Sequence, residues 1–175
     1  MNAVKQGSPK VNKVINVVIA GLGGQGVLKA SDILADAALR AGWDVKKSEL
    51  HGMSQRGGSV SSDVRFGPQV LSPMVPWGEA NYLVVLASDQ VEPNRHLLGP
   101  QGTLITPEMI PAAFLPHKKS LNIALLGRLS QYLPLTEDHW LAAIRAHLAE
   151  QLQAMNVQAF RAGRQTASGN SELKT

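Results

Sequence analysis

Val14-Ile15-Asn16-Val17-Val18-Ile19-Ala20-Gly21-Leu22-Gly23-Gly24-Gln25-Gly26 is the stretch that decides the fold. Its first half is β-branched and apolar with a single amide. That is the pattern of a parallel strand buried on both faces. The glycines follow at once, and then an apolar stripe of Val27, Ala30, Ile33, Ala37 and Ala41 recurs at spacings of three and four. This spacing predicts an amphipathic helix from near Gly26 to Ala41, closed by Gly42 as its C-terminal cap. Strand, tight glycine turn and helix in that order open a doubly wound α/β domain.

Working outward, Asp44–Glu49 reads as a second strand. Its Lys46, Lys47 and Ser48 suit an edge or an interface. Residues 50–58 read as loop. Val60, Ser62, Val64 and Phe66 alternate with Ser59, Ser61, Asp63 and Arg65, the period of a half-buried strand. Gly67-Pro68 signals a turn that would bring Val70-Leu71 back as a short hairpin partner. Pro73 and Pro76 keep the next segment extended. Tyr82–Leu86 is a second fully apolar strand and 102–106 a further one. Helices are expected over 89–98, 120–133 and 136–155, with Thr136 as an N-cap. We therefore expect a single Rossmann-like three-layer α/β domain with a mostly parallel sheet and a short hairpin. It would span residues 14–163, between a flexible tail at 1–13 and a disordered one at 164–175.

The composition narrows the function. The 175 residues are 44% hydrophobic and 17% charged, which suits one globular domain. No apolar run approaches the length of a membrane span, and the first residues lack the apolar core of a signal peptide, so a cytoplasmic location is expected. The chain has no cysteine. Disulfides, thiolate catalysis and all-cysteine iron–sulfur ligation are thereby excluded from it. Of the net charge of +4, the ends contribute +5 and residues 14–160 contribute −1. A near-neutral body argues against a nucleic-acid partner.

Two loops carry the candidate chemistry. Gly21-Leu22-Gly23-Gly24-Gln25-Gly26 has the spacing of a dinucleotide fingerprint between a strand and a helix. Glu49 lies where a ribose-binding acid would follow. Glycines there allow close backbone approach, and the helix N-terminus attracts an anion. The same glycines would equally close a tight crossover or receive another chain. The second loop is His51-Gly52-Met53-Ser54-Gln55-Arg56-Gly57-Gly58. A glycine-rich loop is entropically costly, so one this dense in polar groups has a task. Arg56 suits a carboxylate or phosphate, or an ion pair within or between chains. His51 is an acid, a base, a donor or a structural ring. Ser54, Gln55, Gly57 and Gly58 complete the candidate binding set.

The order of three motifs, 21–27, then 51–58, then Ser72-Pro73-Met74-Val75-Pro76, resembles the small subunit of indolepyruvate ferredoxin oxidoreductase. More broadly it resembles the gamma subunit or domain of the pyruvate and 2-oxoacid:ferredoxin oxidoreductases. Gly78-Glu79-Ala80 and the stretch 156–163 fit as well. The resemblance covers Val14 to Gly163. It implies oxidative decarboxylation of a 2-oxoacid with coenzyme A, giving acyl-CoA, CO2 and reduced ferredoxin. It also implies that thiamine diphosphate and the iron–sulfur clusters sit on larger partner subunits. This chain would then hold no cofactor alone, reach ferredoxin only through the complex and be inactive by itself. Its partner-facing apolar surface would favour a homodimer in isolation. His51 and Arg56 are the candidate catalytic residues. Gly21, Gly23, Gly24, Gln25, Gly26, Ser54, Gln55, Gly57 and Gly58 are the candidate cofactor-facing ones. Two other readings stand beside this one: a free-standing NAD(P)-dependent oxidoreductase and a non-enzymatic module binding an anionic ligand.

Overall fold

The apolar run becomes the central strand β1 (Ile15–Leu22), and its alternate side chains divide the protein into two packed faces. In this computed structural model, residues 13–53 and 57–168 are described. Val17 and Ile19 of β1 point into the larger core and Val18 and Ala20 into a smaller one. Fully burying a valine or isoleucine such as these contributes about 1.5–3 kcal/mol.

The other strands are β2 (Asp44–His51), β3 (Ser59–Gly67), β4 (Ala80–Val85) and β5 (Leu98–Ile105). They form one five-stranded sheet in the order β2-β3-β1-β4-β5. β1–β4 and β4–β5 pair parallel, while β3 runs antiparallel to both β1 and β2. β2 therefore points the same way as β1 but lies two strands from it. The hairpin in this sheet is β2–β3. Val70 and Leu71, expected as its partner, form no strand. Instead the Val70 N–H donates to Asp44 Oδ2 at 2.7 Å, which anchors the loop beyond β3.

The helices are α1 (Val27–Arg40), the single turn α2 (Val91–Asn94), α3 (Leu121–Ser130), α4 (Glu137–His147) and α5 (Glu150–Ser168). α1, α3, α4 and α5 cover the face carrying Val17, Val64, Phe66, Val84 and Ile105. The opposite layer is thin. It consists of the turns around Val91 and Leu97 and the loop bearing Val75. β3 fastens that loop with its polar side chains: Asp63 accepts from the Val75 N–H at 2.8 Å, and Arg65 Nη1 donates to Ser72 O at 2.9 Å. Burial holds the Asp63 carboxyl above its ordinary range, against the opposing pull of the Val75 N–H and of Arg65. The alternating polar residues of β3 are thus the undersides of a covered strand.

Three expected elements differ. The helix over 89–98 is broken into two 3-10 turns around α2, with Pro93 inside the single α-turn where it can donate no hydrogen bond. The helix over 136–155 is two helices. Leu148 takes an extended conformation, and the Gln153 amide donates to both Arg145 O and Leu148 O, the carbonyls that the break leaves open. The disordered tail expected from residue 164 is overturned as far as Ser168, because α5 continues to that residue. Its Arg164 donates to Ser130 Oγ at 2.9 Å and lies over the Phe160 ring, so it is bound internally despite its polarity. The expected tail at 1–13 falls outside the described residues except for Lys13.

α3 and α5 cross with backbone against backbone. A Cβ on Gly127 would fall on the Phe160 carbonyl, and one on Gly163 on the Ala124 carbonyl. Trp140 of α4 packs on Phe160 in a tilted arrangement, with ring centroids 5.5 Å apart.

Candidate functional site

The glycine loop is shaped by its own side chain and by two glycines in the left-handed region. Gln25 N–H donates to Leu22 O at 3.1 Å, while Gln25 Oε1 accepts from the Leu22 N–H at 2.7 Å, so the amide staples the turn from within. Gly24 and Gly26 have φ of +88° and +84°, a conformation that costs other residues about 1–2 kcal/mol. Gly21 is packed under the loop. A Cβ there would meet Gln25 Oε1 at 2.8 Å and Leu86 Cβ at 3.1 Å. Gly23, Gly24 and Gln25 are exposed.

α1 begins immediately behind this turn with Gly26 O accepting from Ala30 N–H. No side chain caps it and no acidic residue lies in its first turn. Its leading N–H groups therefore present partial positive charge to the cleft. Asn122, at the start of α3, donates its Nδ2 to Gly26 O at 3.2 Å and fixes the loop from the far side.

The two sequence-predicted loops meet. The Gly23 N–H donates to Gly58 O at 2.9 Å, and the Gly52 N–H to Ser59 O at 2.7 Å closes the base of the β2–β3 connection. The second loop is thus the connection of that hairpin, its base held against the first loop. Ser54, Gln55 and Arg56 lie outside the described residues. His51 ends β2 and is largely exposed, with Nε2 3.8 Å from Glu49 Oε2. Gly57 has φ +64°, and Gly58 supplies the carbonyl that joins the loops.

A cleft lies on each side of the glycine loop. One, of about 400 Å³, is lined by Gly23, Gly24, Val27, Lys29, His51 and Val60 among others. The other, of about 420 Å³, lies between Gly24-Gln25-Gly26, Leu86 and the segment Lys118, Lys119, Leu121 and Asn122. Neither lining includes a carboxylate. Two lysines, a third across the loop and an uncapped helix start make this edge an anion-accepting surface. Lys29, Lys118, Lys119 and Asn122 were not singled out from the sequence. The available signal was a basic pair just before an apolar helix.

Glu49 does not fill the place of a ribose-binding acid. Its Oε1 lies 2.6 Å from Lys47 Nζ, and Lys47 also pairs with Asp32 at 2.5 Å. Burial by itself would lower the Lys47 ammonium, but Asp32 and Glu49 outweigh it and hold the group above its ordinary value. β3 also lies between β2 and β1, which puts Glu49's strand about 10 Å from β1. Among the described residues no group of three or more His, Cys, Asp or Glu side chains is placed to hold a metal ion. No described helix is long and apolar enough to cross a membrane.

This mixed five-stranded α/β domain matches a solved gamma subunit of a keto/oxoacid ferredoxin oxidoreductase from Geobacter sulfurreducens. The TM-score is 0.75 at 20% identity, over 90% of this chain and 98% of that one. It matches equally a 2-oxoglutarate:ferredoxin oxidoreductase from Magnetococcus marinus, of whose longer chain it spans 31%. At these identities the likeness is one of fold. In sequence, the profile of the pyruvate ferredoxin/flavodoxin oxidoreductase family matches residues 16–119. Indolepyruvate oxidoreductase subunit IorB of Thermococcus kodakarensis is 40% identical over 141 residues, covering 80% of this chain and 68% of the relative. The Archaeoglobus fulgidus protein of the same name is 31% identical, over 85% of this chain and 93% of the relative. The chain belongs to the pyruvate ferredoxin/flavodoxin oxidoreductase family.

Proposed function

We propose that this chain is the small, cluster-free subunit of a thiamine-diphosphate-dependent 2-oxoacid:ferredoxin oxidoreductase of the indolepyruvate type. Within the complex, an arylpyruvate and coenzyme A become an acyl-CoA and CO2, and two electrons pass to ferredoxin. The observation that carries this reading is the identity with indolepyruvate oxidoreductase subunits over four-fifths of the chain. Thiamine diphosphate, held by a larger partner, supplies the decarboxylation chemistry. With no cysteine here, cysteine-ligated clusters also fall to partner chains.

The part left to this chain is binding and exclusion of water. The backbone N–H groups behind Gly24 and Gly26, with Lys118 and Lys119, suit the phosphates of coenzyme A. To His51 and Arg56, which lie in sequence between β2 and β3, this reading assigns the task of orienting the carboxylate end of the reactants. Leu71, Met74 and Trp77 are 83%, 54% and 80% exposed and form the surface that a partner covers, or a second copy of the chain in its absence. The reading places the protein in the cytoplasm.

Variants in the assembled complex test it. Lys118→Ala with Lys119→Ala raises KM for coenzyme A by about tenfold or more, since two charge-assisted contacts are lost. Arg56→Ala lowers kcat for the 2-oxoacid. Unchanged turnover and coenzyme A KM in both variants would remove these residues from the site.

A further inference from the structure

Beside the break between α4 and α5 lies a third concavity, which shares Lys119 and Asn122 with the cleft proposed above for coenzyme A but is otherwise lined by different residues. It has a volume of about 360 Å³, within the range of small-ligand pockets. Ile123, which is buried, Leu148, Leu152 and Met155 form its walls. Leu152 is 42% exposed there, an apolar side chain in the first turn of a helix with no chain packed on it among the described residues. The pocket lies where Leu148 is extended and the Gln153 amide closes the end of α4.

The rim carries one fixed positive charge, that of Lys119. His117 and Lys119 stand at it, and no carboxylate lines the pocket. His117 Nδ1 accepts from the Lys119 N–H at 3.1 Å, so the neutral ring carries its proton on Nε2 and offers a donor from that side. Asn156, 6% exposed, commits its Nδ2 to Leu152 O at 2.8 Å and leaves its Oδ1 without a protein partner among the described residues. An apolar slot with a lysine and a ring N–H at its mouth is complementary to one class of molecule. We infer that it binds a small monocarboxylic acid with an apolar body, which enters the slot while the carboxylate pairs with Lys119 and accepts from His117.

The test uses the full chain without partner subunits or coenzyme A, so it is independent of whether the proposed complex assembles. Titration with 1-naphthylacetate is followed by NMR shifts of the Leu148, Leu152 and Met155 methyl groups. Its neutral twin, 1-naphthylacetamide, is titrated in parallel. Saturable shifts confined to this pocket are expected, with the amide at least about tenfold weaker. Lys119→Met weakens the acid by a similar factor and leaves the amide unchanged. Met155→Trp, filling the slot, abolishes binding of both. A wild-type chain that shows no saturable shift would overturn the inference. So would an acid and amide of equal affinity, or binding that survives Met155→Trp. Lys119 is an exposed side chain, so Lys119→Met supports or overturns the inference even if the tryptophan variant does not fold.

Discussion

Gly127→Ala unfolds the α3–α5 pair or leaves it severely weakened, and Gly163→Ala does the same from the opposite helix. Each added Cβ would fall on a backbone carbonyl, of Phe160 in one case and Ala124 in the other. A flexible side chain could rotate away, but a helical backbone cannot without carrying its turn with it. The two helices must separate, and that strips contacts from the core residues Ile123, Leu126, Ala159 and Phe160 around the crossing. The expected loss is about 4 kcal/mol or more, at the severe end for a single methyl group. Gly42→Ala is the control. Its φ of +88° makes alanine strained, but no atom stands within 4 Å, so about 1 kcal/mol is lost. Denaturant unfolding of the three variants checks this. The double variant should fall well short of additivity, because one separation of the helices relieves both clashes.

Gly26→Ala has the next largest effect, and it reaches the candidate site. The residue is left-handed, and a Cβ there would strike the Asn122 amide that holds the loop against α3. Strain of about 1–2 kcal/mol adds to the lost hydrogen bond of about 1 kcal/mol. A fall in Tm of about 5–10 °C is expected for a chain of this size. Gly24→Ala separates the two causes. It has the same sign of φ but open space around it, so it keeps the Asn122 contact and suffers only the strain. Under the proposed function, Gly26→Ala is expected to raise KM for coenzyme A in the assembled complex, and Gly24→Ala to do so less. Equal stability losses in both variants would mean that the Asn122 contact contributes nothing.

How far the sequence alone leads depends on the length scale of each feature. β1, the glycine turn and α1 are legible because a β-branched run, a change of period and a cap lie within thirty residues of one another. β3 is legible as a strand by its alternation. Its place between β1 and β2 is not, because strand order is settled by long-range packing. The polar side of β3 reads as solvent-facing until Asp63 and Arg65 are seen holding the following loop. No proline or glycine marks the α4–α5 break. It depends on the Gln153 amide reaching back to carbonyls that the periodicity treats as helical. Arg164 looks like tail decoration and is in fact anchored to Ser130. Within the candidate site, the two glycine loops are visible as motifs, but their meeting at Gly23–Gly58 continues the antiparallel β1–β3 pairing beyond Leu22 and Ser59, which no local pattern announces. Lys118, Lys119 and Asn122 come from almost a hundred residues further along, and no local pattern connects them to Gly26.

The most direct test of the proposed role is to recover this chain from its native cells under anaerobic, mild conditions and assay what accompanies it. The proposed subunit is expected to bring down a larger chain containing thiamine diphosphate and iron, in a complex that reduces ferredoxin with an arylpyruvate and coenzyme A. A chain that comes down alone, binds a nicotinamide nucleotide and turns over a substrate with it would contradict the account.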